Sequence, residues 1–382
     1  MEANTLPDTM KAQLLEQFNQ PYVLRSVPLP QLASDFDLLI KVDAARTIDS
    51  EQAHPNGFAA VLASGQMRPD PPSFPHISCH EFAGTIVSLS TNPSGIAKTY
   101  RVGQKVGAPG RAYHPCGTCF ECADTTRTES DHAGYSVFCS KANNNGINRN
   151  GGFSEYAVVD ARQVALLPEE ISPVAAAPLM CAGITIFGAL KRCKLESGQR
   201  VGIVGSGGGL GHLGLQFAAA MGLRTIGVDA ADAPLQLARN LKTDAQIVDA
   251  RTEKAELIVQ RIGEEDGESE NANMGLDAVI ILPEGQSGFD YGMKLLKNHG
   301  ICVVVSFPEA GFHVSARDLV FRDITVTGSL VSSNKTLHEM LDFAAKHNVR
   351  AVSKTFPLDN LNGLVEEYNK AAGGKLVVDM SL

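Results

Sequence analysis

The chain of 382 residues contains no window approaching 18 consecutive apolar residues, so we expect no membrane-spanning helix. It also lacks a basic excess. Its 33 lysines and arginines stand against 42 acidic residues, a net charge of -9, which leaves no electrostatic footprint for nucleic acid or an anionic membrane surface. A small-molecule ligand is therefore expected. The opening stretch MEANTLPDTMKAQLLEQF carries acids and no apolar h-region, so we expect no secretory signal and a cytoplasmic protein. There is no internal repeat or low-complexity tract, and GEEDGESENAN at 263–273 reads as a solvated loop. Eight cysteines are too few for a disulfide scaffold in a chain of this size, and in a reducing compartment a tight cluster of them marks metal binding. No cysteine precedes Cys79.

The length suits two or three domains, with two expected. Up to about residue 170, short apolar runs such as DLLIKV, AGTIVSL and EYAVV are separated by Gly- and Pro-rich turns, a pattern of short strands and long loops. From about 174, helical stretches (PVAAAPLMCAGITIFGALKRC, LGHLGLQFAAAMG, PLQLARNLK, FDYGMKLLKN) alternate with β-branched runs (RVGIVG, RTIGVD, LDAVIIL, GICVVVSF). That alternation predicts βαβ units and a doubly wound parallel sheet, and hence an α/β protein. After about 330 come two more helices, TLHEMLDFAAKHN and LNGLVEEYNKA, and a last strand, KLVVDM.

RVGIVGSGGGLGHLGLQFAAAMGLRTIGVD is the most informative unit. A buried strand, Val201 to Val204, runs into five glycines among seven residues, then a helix stopping at Gly222, then a second strand ending at Asp229. Glycine lets the backbone turn tightly and approach a pyrophosphate, which then sits on the free N–H groups of the helix N-terminus. The strict G-x-G-x-x-G spacing falls on Gly209, Gly211 and Gly214, yet the strand context puts the turn earlier. We assign Gly205 to the turn, Gly208 and Gly209 to close approach and Gly211 to helix packing, and count Leu210 among the cofactor-binding residues. Asp229 is placed to accept from the adenosine ribose hydroxyls. No Arg or Lys follows it until Arg239, which favours NAD(H) over NADP.

Cys116, Cys119 and Cys122 are separated by two-residue gaps, with sixteen residues between Cys122 and Cys139. Thiolates so spaced curl around one tetrahedral Zn²⁺, and four of them close its coordination sphere, which makes a structural site. Cys139 is the natural fourth ligand, but His132 lies in the same loop and a Cys3His site is equally acceptable chemistry. The bland alternative is a set of free or disulfide-bonded thiols.

With these motifs the chain resembles the zinc-dependent medium-chain alcohol dehydrogenases, most closely the branch that includes yeast alcohol dehydrogenase. The resemblance spans nearly the whole length and rests on CHEFAGTIV, CGTCFEC, GGFSEYAVV, PLMCAGITIFGAL, VGIVGSGGGLG, IGVD and GKLVVDM. It implies a GroES-like catalytic domain made of residues 1–182 and 331–382, a Rossmann NAD-binding domain at 183–330 between them, and a homo-oligomer, dimer or tetramer. It further implies that Thr185 lies near the nicotinamide and that Lys375, standing where the family has an Arg, reaches the cofactor.

In that family a catalytic Zn²⁺ is held by a Cys of an N-terminal loop, by the His of GHE and by the Cys of CAG[IV]T. His80 and Cys181 match the second and third. The first falls within KVDAARTIDSEQAHPNG at 41–57, which holds no cysteine. The direct register puts Arg46 on the ligand, Thr47 on the pyrophosphate-contacting residue, Ile48 on the relay hydroxyl and Asp49 on the family's Asp. Shifted by one, Ala45 takes the ligand position, Arg46 contacts pyrophosphate and Thr47 keeps the hydroxyl. One reading retains the ion on His80, Glu81 and Cys181, with Thr47 and His54 carrying protons to solvent. The other drops it and sets the Arg46 guanidinium over the substrate oxygen, paired with Glu81 or Asp49, which suits an activated double bond or redox-neutral chemistry. A catalytically silent dinucleotide-binding protein is a third possibility. Outside this context His80 is a satisfied structural histidine, Asp49 a carboxylate orienting it, and Cys181, Cys193 and Cys302 small buried hydrophobes.

Overall fold

The computed structural model describes residues 6–17, 20–46, 73–124, 135–370 and 373–382. Thr47, Ile48, Asp49, His54 and His132 lie outside the described residues.

In the first half the chain forms β1 (Thr9–Leu14), β2 (Val23–Pro28), β3 (Asp37–Arg46), β4 (Glu81–Leu89), β5 (Lys105–Pro109), β6 (Tyr156–Asp160) and β7 (Ala165–Leu166). β1 and β2 make an antiparallel hairpin. The others join β14 (Ser353–Phe356) and β15 (Lys375–Asp379) in a seven-stranded sheet of order β14-β15-β3-β4-β5-β7, with β6 also paired to β3. β15 thus lies between β14 and β3, so late sequence completes an early sheet. Its core gathers Leu38, Ile40, Val42, Phe82 and Ile86 from inward positions of β3 and β4, with Phe153 added from the loop before β6.

Between them the parallel sheet holds β8 (Arg200–Val204), β9 (Arg224–Asp229), β10 (Gln246–Asp249), β11 (Leu276–Ile281), β12 (Leu296–Val304) and β13 (Thr325–Gly328), in the order β10-β9-β8-β11-β12-β13. Every pairing in it is parallel. This is the doubly wound order whose reversal, between β8 and β11, opens a crevice at the strand C-termini where dinucleotides bind. β8 is buried throughout, as a strand covered by helices on both faces must be.

Three local expectations are corrected. The apolar run 173–193 is not one helix: a 3-10 turn, Ala177–Met180, meets the helix Ala182–Arg192 at Cys181, whose φ/ψ of -131°/-59° breaks the ladder. FDYGMKLLKN is split, because the helix ends at Leu295 and β12 begins at Leu296, pairing with Leu276 in the sheet. Pairing with a buried strand outweighs the helical preference of Leu-Leu-Lys. The acidic 263–273 segment is not all loop, since the helix Ala255–Asp266 runs into it and Asp266 and Glu265 bind Arg200 and Arg224. Among the described residues no single helix is long and apolar enough to cross a membrane.

Candidate cofactor cradle and metal sites

The glycine loop opens at Gly205, whose φ of +85° only glycine adopts without strain. A Cβ on Gly211 would sit 2.1 Å from the Gly205 carbonyl oxygen, so the helix Gly211–Ala220 starts hard against the strand as expected. A Cβ on Gly208 would make only an ordinary contact, 3.4 Å from the Gly205 oxygen, and a Cβ on Gly209 would fall 2.8 Å from Lys375 Nζ and 3.5 Å from Arg46 Nη2. Two cations from different parts of the chain therefore converge on the loop. They help line a cleft of about 570 Å³ with Gly208, Gly209, Pro234 and Gly374. Asp229 accepts from the Gly207 N–H at 2.9 Å and from the Ala230 N–H at 2.8 Å. Those bonds fix its carboxylate beside the loop. Thr185 is buried within the helix Ala182–Arg192, and Leu210 stands at the N-cap of the next helix.

Sequence reasoning missed Gly207 and His212. A Cβ on Gly207 would meet the Pro234 oxygen at 1.9 Å, a contact invisible inside a run of glycines. His212 Nδ1 is 2.9 Å from the Gly208 oxygen, and its Nε2 accepts from the Val352 N–H at 3.1 Å, which makes it a neutral ring donating at Nδ1. Burial, and then the charges of Lys375 and Arg46, hold its pKa down at about 4.

The second group of residues gathers where β3 and β4 pair, with Arg46 opposite Glu81. His80, Glu81 and Cys181 each offer a donor atom, all within 4.8 Å of one another. The break at Cys181 is what lets a helix-entry residue reach β4. Arg46 Nη1 donates to Glu81 Oε1 at 2.6 Å, in an ion pair whose side chains are 6% and 0% exposed. Among the described residues Glu81 Oε2 is buried without a hydrogen-bond partner. Cys79 is no substitute for the missing thiolate: its Sγ donates to the Arg46 carbonyl at 3.1 Å, and it packs with the apolar core. Its φ of +85° fits a position where the resembled family has glycine. Ala45 also packs in that core.

In the cysteine lobe Cys116, Cys119, Cys122 and Cys139 bring four sulfurs within 4.8 Å of one another, and all four are free thiols. Cys119 and Cys139 sulfurs lie 3.8 Å apart, close to the separation that tetrahedral Zn–S bonds of about 2.3 Å impose. N–H groups of Thr118 and Cys119 point at the Cys116 sulfur and pull its pKa down to about 5, while burial pushes Cys122 up to about 12. Four sulfurs so gathered are a donor set that suits one tetrahedral cation. Cys193 and Cys302 are buried core residues, each pushed up to about 12 by burial.

Residues 34–169 match the alcohol dehydrogenase GroES-like domain, and residues 209–346 match the zinc-binding dehydrogenase domain. An alcohol dehydrogenase of Geobacillus stearothermophilus is 30% identical over 372 residues, covering 97% of this chain and 99% of that one. Alcohol dehydrogenase 1 of Emericella nidulans is 28% identical, covering 98% of this chain and 99% of that one. The crystal structure of the alcohol dehydrogenase of Aeropyrum pernix superposes with a TM-score of 0.75 at 27% identity, covering 97% of this chain and 99% of that one. The chain belongs to the zinc-type medium-chain alcohol dehydrogenase family. It is an oxidoreductase of that class, with the GroES-like and Rossmann domains that the motifs implied.

Proposed function

We propose that the protein transfers hydride between NAD(H) and the carbonyl or alcohol carbon of a small molecule, at a catalytic site altered from the family's usual one. Within the family we assign it to the branch that includes yeast alcohol dehydrogenase, on its four-cysteine lobe and closing GKLVVDM. The observation that carries the reading is Arg46, which pairs with Glu81 through Nη1 while Nη2 lies over Gly209. One side chain thereby ties the cofactor loop to the His80–Glu81–Cys181 cluster. This geometry supports the shifted register, in which Arg46 is the phosphate contact and Ala45 stands where relatives supply a thiolate.

Gly205, Gly208, Gly209, Leu210 and Gly211 receive the pyrophosphate, and Arg46 and Lys375 neutralise it. Asp229 takes the ribose hydroxyls, and Thr185 borders the nicotinamide. The unpartnered oxygen of Glu81, together with a ring nitrogen and a thiol, is a donor set suited to Zn²⁺. An ion held there by His80, Glu81 and Cys181 would act as a Lewis acid on the substrate oxygen. Arg46 orients Glu81 and balances its charge, with Asp49 supporting His80. Thr47 and His54 move the substrate hydroxyl proton toward solvent. Cys116, Cys119, Cys122 and Cys139 would hold a second zinc, which would fix the lobe. We infer a cytoplasmic homo-oligomer.

Metal content per subunit and aldehyde-dependent NADH oxidation test this together. Two zincs are expected, one lost in Cys119→Ser and the other in Cys181→Ser, with turnover lost in Cys181→Ser. One zinc that Cys181→Ser leaves untouched would sink the catalytic ion. No NADH binding would sink the hydride chemistry.

A further inference from the structure

Arg111 is a cation in an unusual place. It follows Gly110, whose N–H donates to the His80 carbonyl at 2.8 Å and whose Cβ, if present, would lie 2.2 Å from that of His80. Arg111 therefore enters the fold against the His80 end of the metal-ligand cluster. It is 8% exposed, yet it makes no ion pair among the described residues. Its Nη2 donates to the Val137 carbonyl at 3.2 Å, and its Nε is buried without a partner. A buried guanidinium is ordinarily matched by a carboxylate, because an unpaired charge in a low-dielectric interior is costly. Burial accordingly lowers its pKa to about 10.

The local charge does not balance. Arg46 and Glu81 already pair with each other, Arg111 has no ion pair among the described residues, and any cation held by His80, Glu81 and Cys181 would add to the positive excess. We propose that Arg111 binds an anionic group of the substrate, so that the enzyme acts on alcohols or aldehydes that carry a carboxylate. The carboxylate supplies the missing counter-charge and accepts from the guanidinium fork, while the carbonyl end of the same molecule faces the His80–Glu81–Cys181 cluster. Planar bidentate pairing is what Arg offers a carboxylate and Lys does not. The proposal rests on the reading of that cluster as the substrate side of a hydride-transfer site.

Two matched pairs test it on the full-length enzyme with NADH: 4-oxobutanoate against butanal, and 4-carboxybenzaldehyde against methyl 4-formylbenzoate. The wild type should favour the carboxylate member in kcat/KM by about a hundredfold, the scale of a hydrogen-bonded ionic contact whose loss leaves a buried charge unpaired. Arg111→Met should abolish that preference while leaving the neutral members turned over as before, and Arg111→Lys should restore only part of it. Binding of terephthalate to the enzyme–NADH complex, followed by calorimetry, needs no turnover. It should be seen in wild type and lost in Arg111→Met. A wild type that prefers the neutral members, or a carboxylate preference that survives Arg111→Met, overturns the proposal. So does an Arg111→Met protein that melts lower with its preference intact, which would make Arg111 a structural arm toward Val137. Turnover of neutral aldehydes without terephthalate binding refutes the carboxylate site alone. Terephthalate binding without any hydride transfer refutes the proposed function and keeps the anion site.

Discussion

Replacing Arg46 by Met removes one member of a 2.6 Å ion pair whose carboxylate is wholly buried. Glu81 would be left with no protein hydrogen bond among the described residues, since Oε2 has none there even with Arg46 in place. Breaking a buried pair from one side costs about 3–5 kcal/mol, which at roughly 2–4 °C per kcal/mol lowers the melting temperature by about 6–20 °C. Arg46 is also expected to serve the cofactor phosphates, so NADH binding should weaken by about 10- to 150-fold, the equivalent of one charge-assisted hydrogen bond. Thermal denaturation and NADH fluorescence titration read the two effects separately. The double variant Arg46→Met/Glu81→Met distinguishes them further. Removing both members of a buried pair is often nearly neutral, so stability should largely return while NADH affinity stays low. An Arg46→Met protein as stable as wild type, or a double variant no more stable than the single, would refute the account of the pair. Unchanged NADH affinity would refute the phosphate role.

His212 yields a pH prediction. Its pKa is about 4 in the folded protein against an ordinary 6.5, so its contribution is complete above pH 6.5, falls as the unfolded chain takes up a proton the folded one refuses, and levels off below about pH 4. About 3 kcal/mol is lost across that window, and urea unfolding of His212→Asn should show a correspondingly flatter pH dependence; parallel curves would refute it. Asp229→Ser should raise the NADP/NAD ratio of kcat/KM by removing a carboxylate that repels a 2′-phosphate. The rise should be modest, because the nearby Arg251 is already engaged by Asp232 and Asp249. A full switch to NADP would contradict this.

What the sequence made legible is mostly local. The dinucleotide loop could be read because glycine spacing, strand and terminal Asp all lie within thirty residues and act through backbone geometry. The cysteine lobe could be read because Zn²⁺ restricts the spacing of its ligands. The Arg46–Glu81 pair was one of two partners offered for Arg46, and only the pairing of β3 with β4 selects Glu81 among the described residues. Arg111 belongs to no motif, and its meaning comes from burial and from the absence of an ion pair among the described residues. The break at Cys181 was hidden in a continuous apolar run, where periodicity carries no signal for a kink.

The position of β15 has a consequence for how the molecule is made. Lys375 and the strand it begins are synthesised after the parallel sheet is complete, yet they supply one of two cations over the glycine loop and fill the gap between β14 and β3. A nascent or prematurely terminated chain lacking β15 can fold its Rossmann sheet but leaves the end of β3 at Ala44–Arg46 unpaired on that side. Such a chain would hold NADH poorly and expose a strand edge to aggregation. Binding of the proposed dinucleotide would thus separate finished molecules from unfinished ones by stabilising chains in which β15 has joined the sheet.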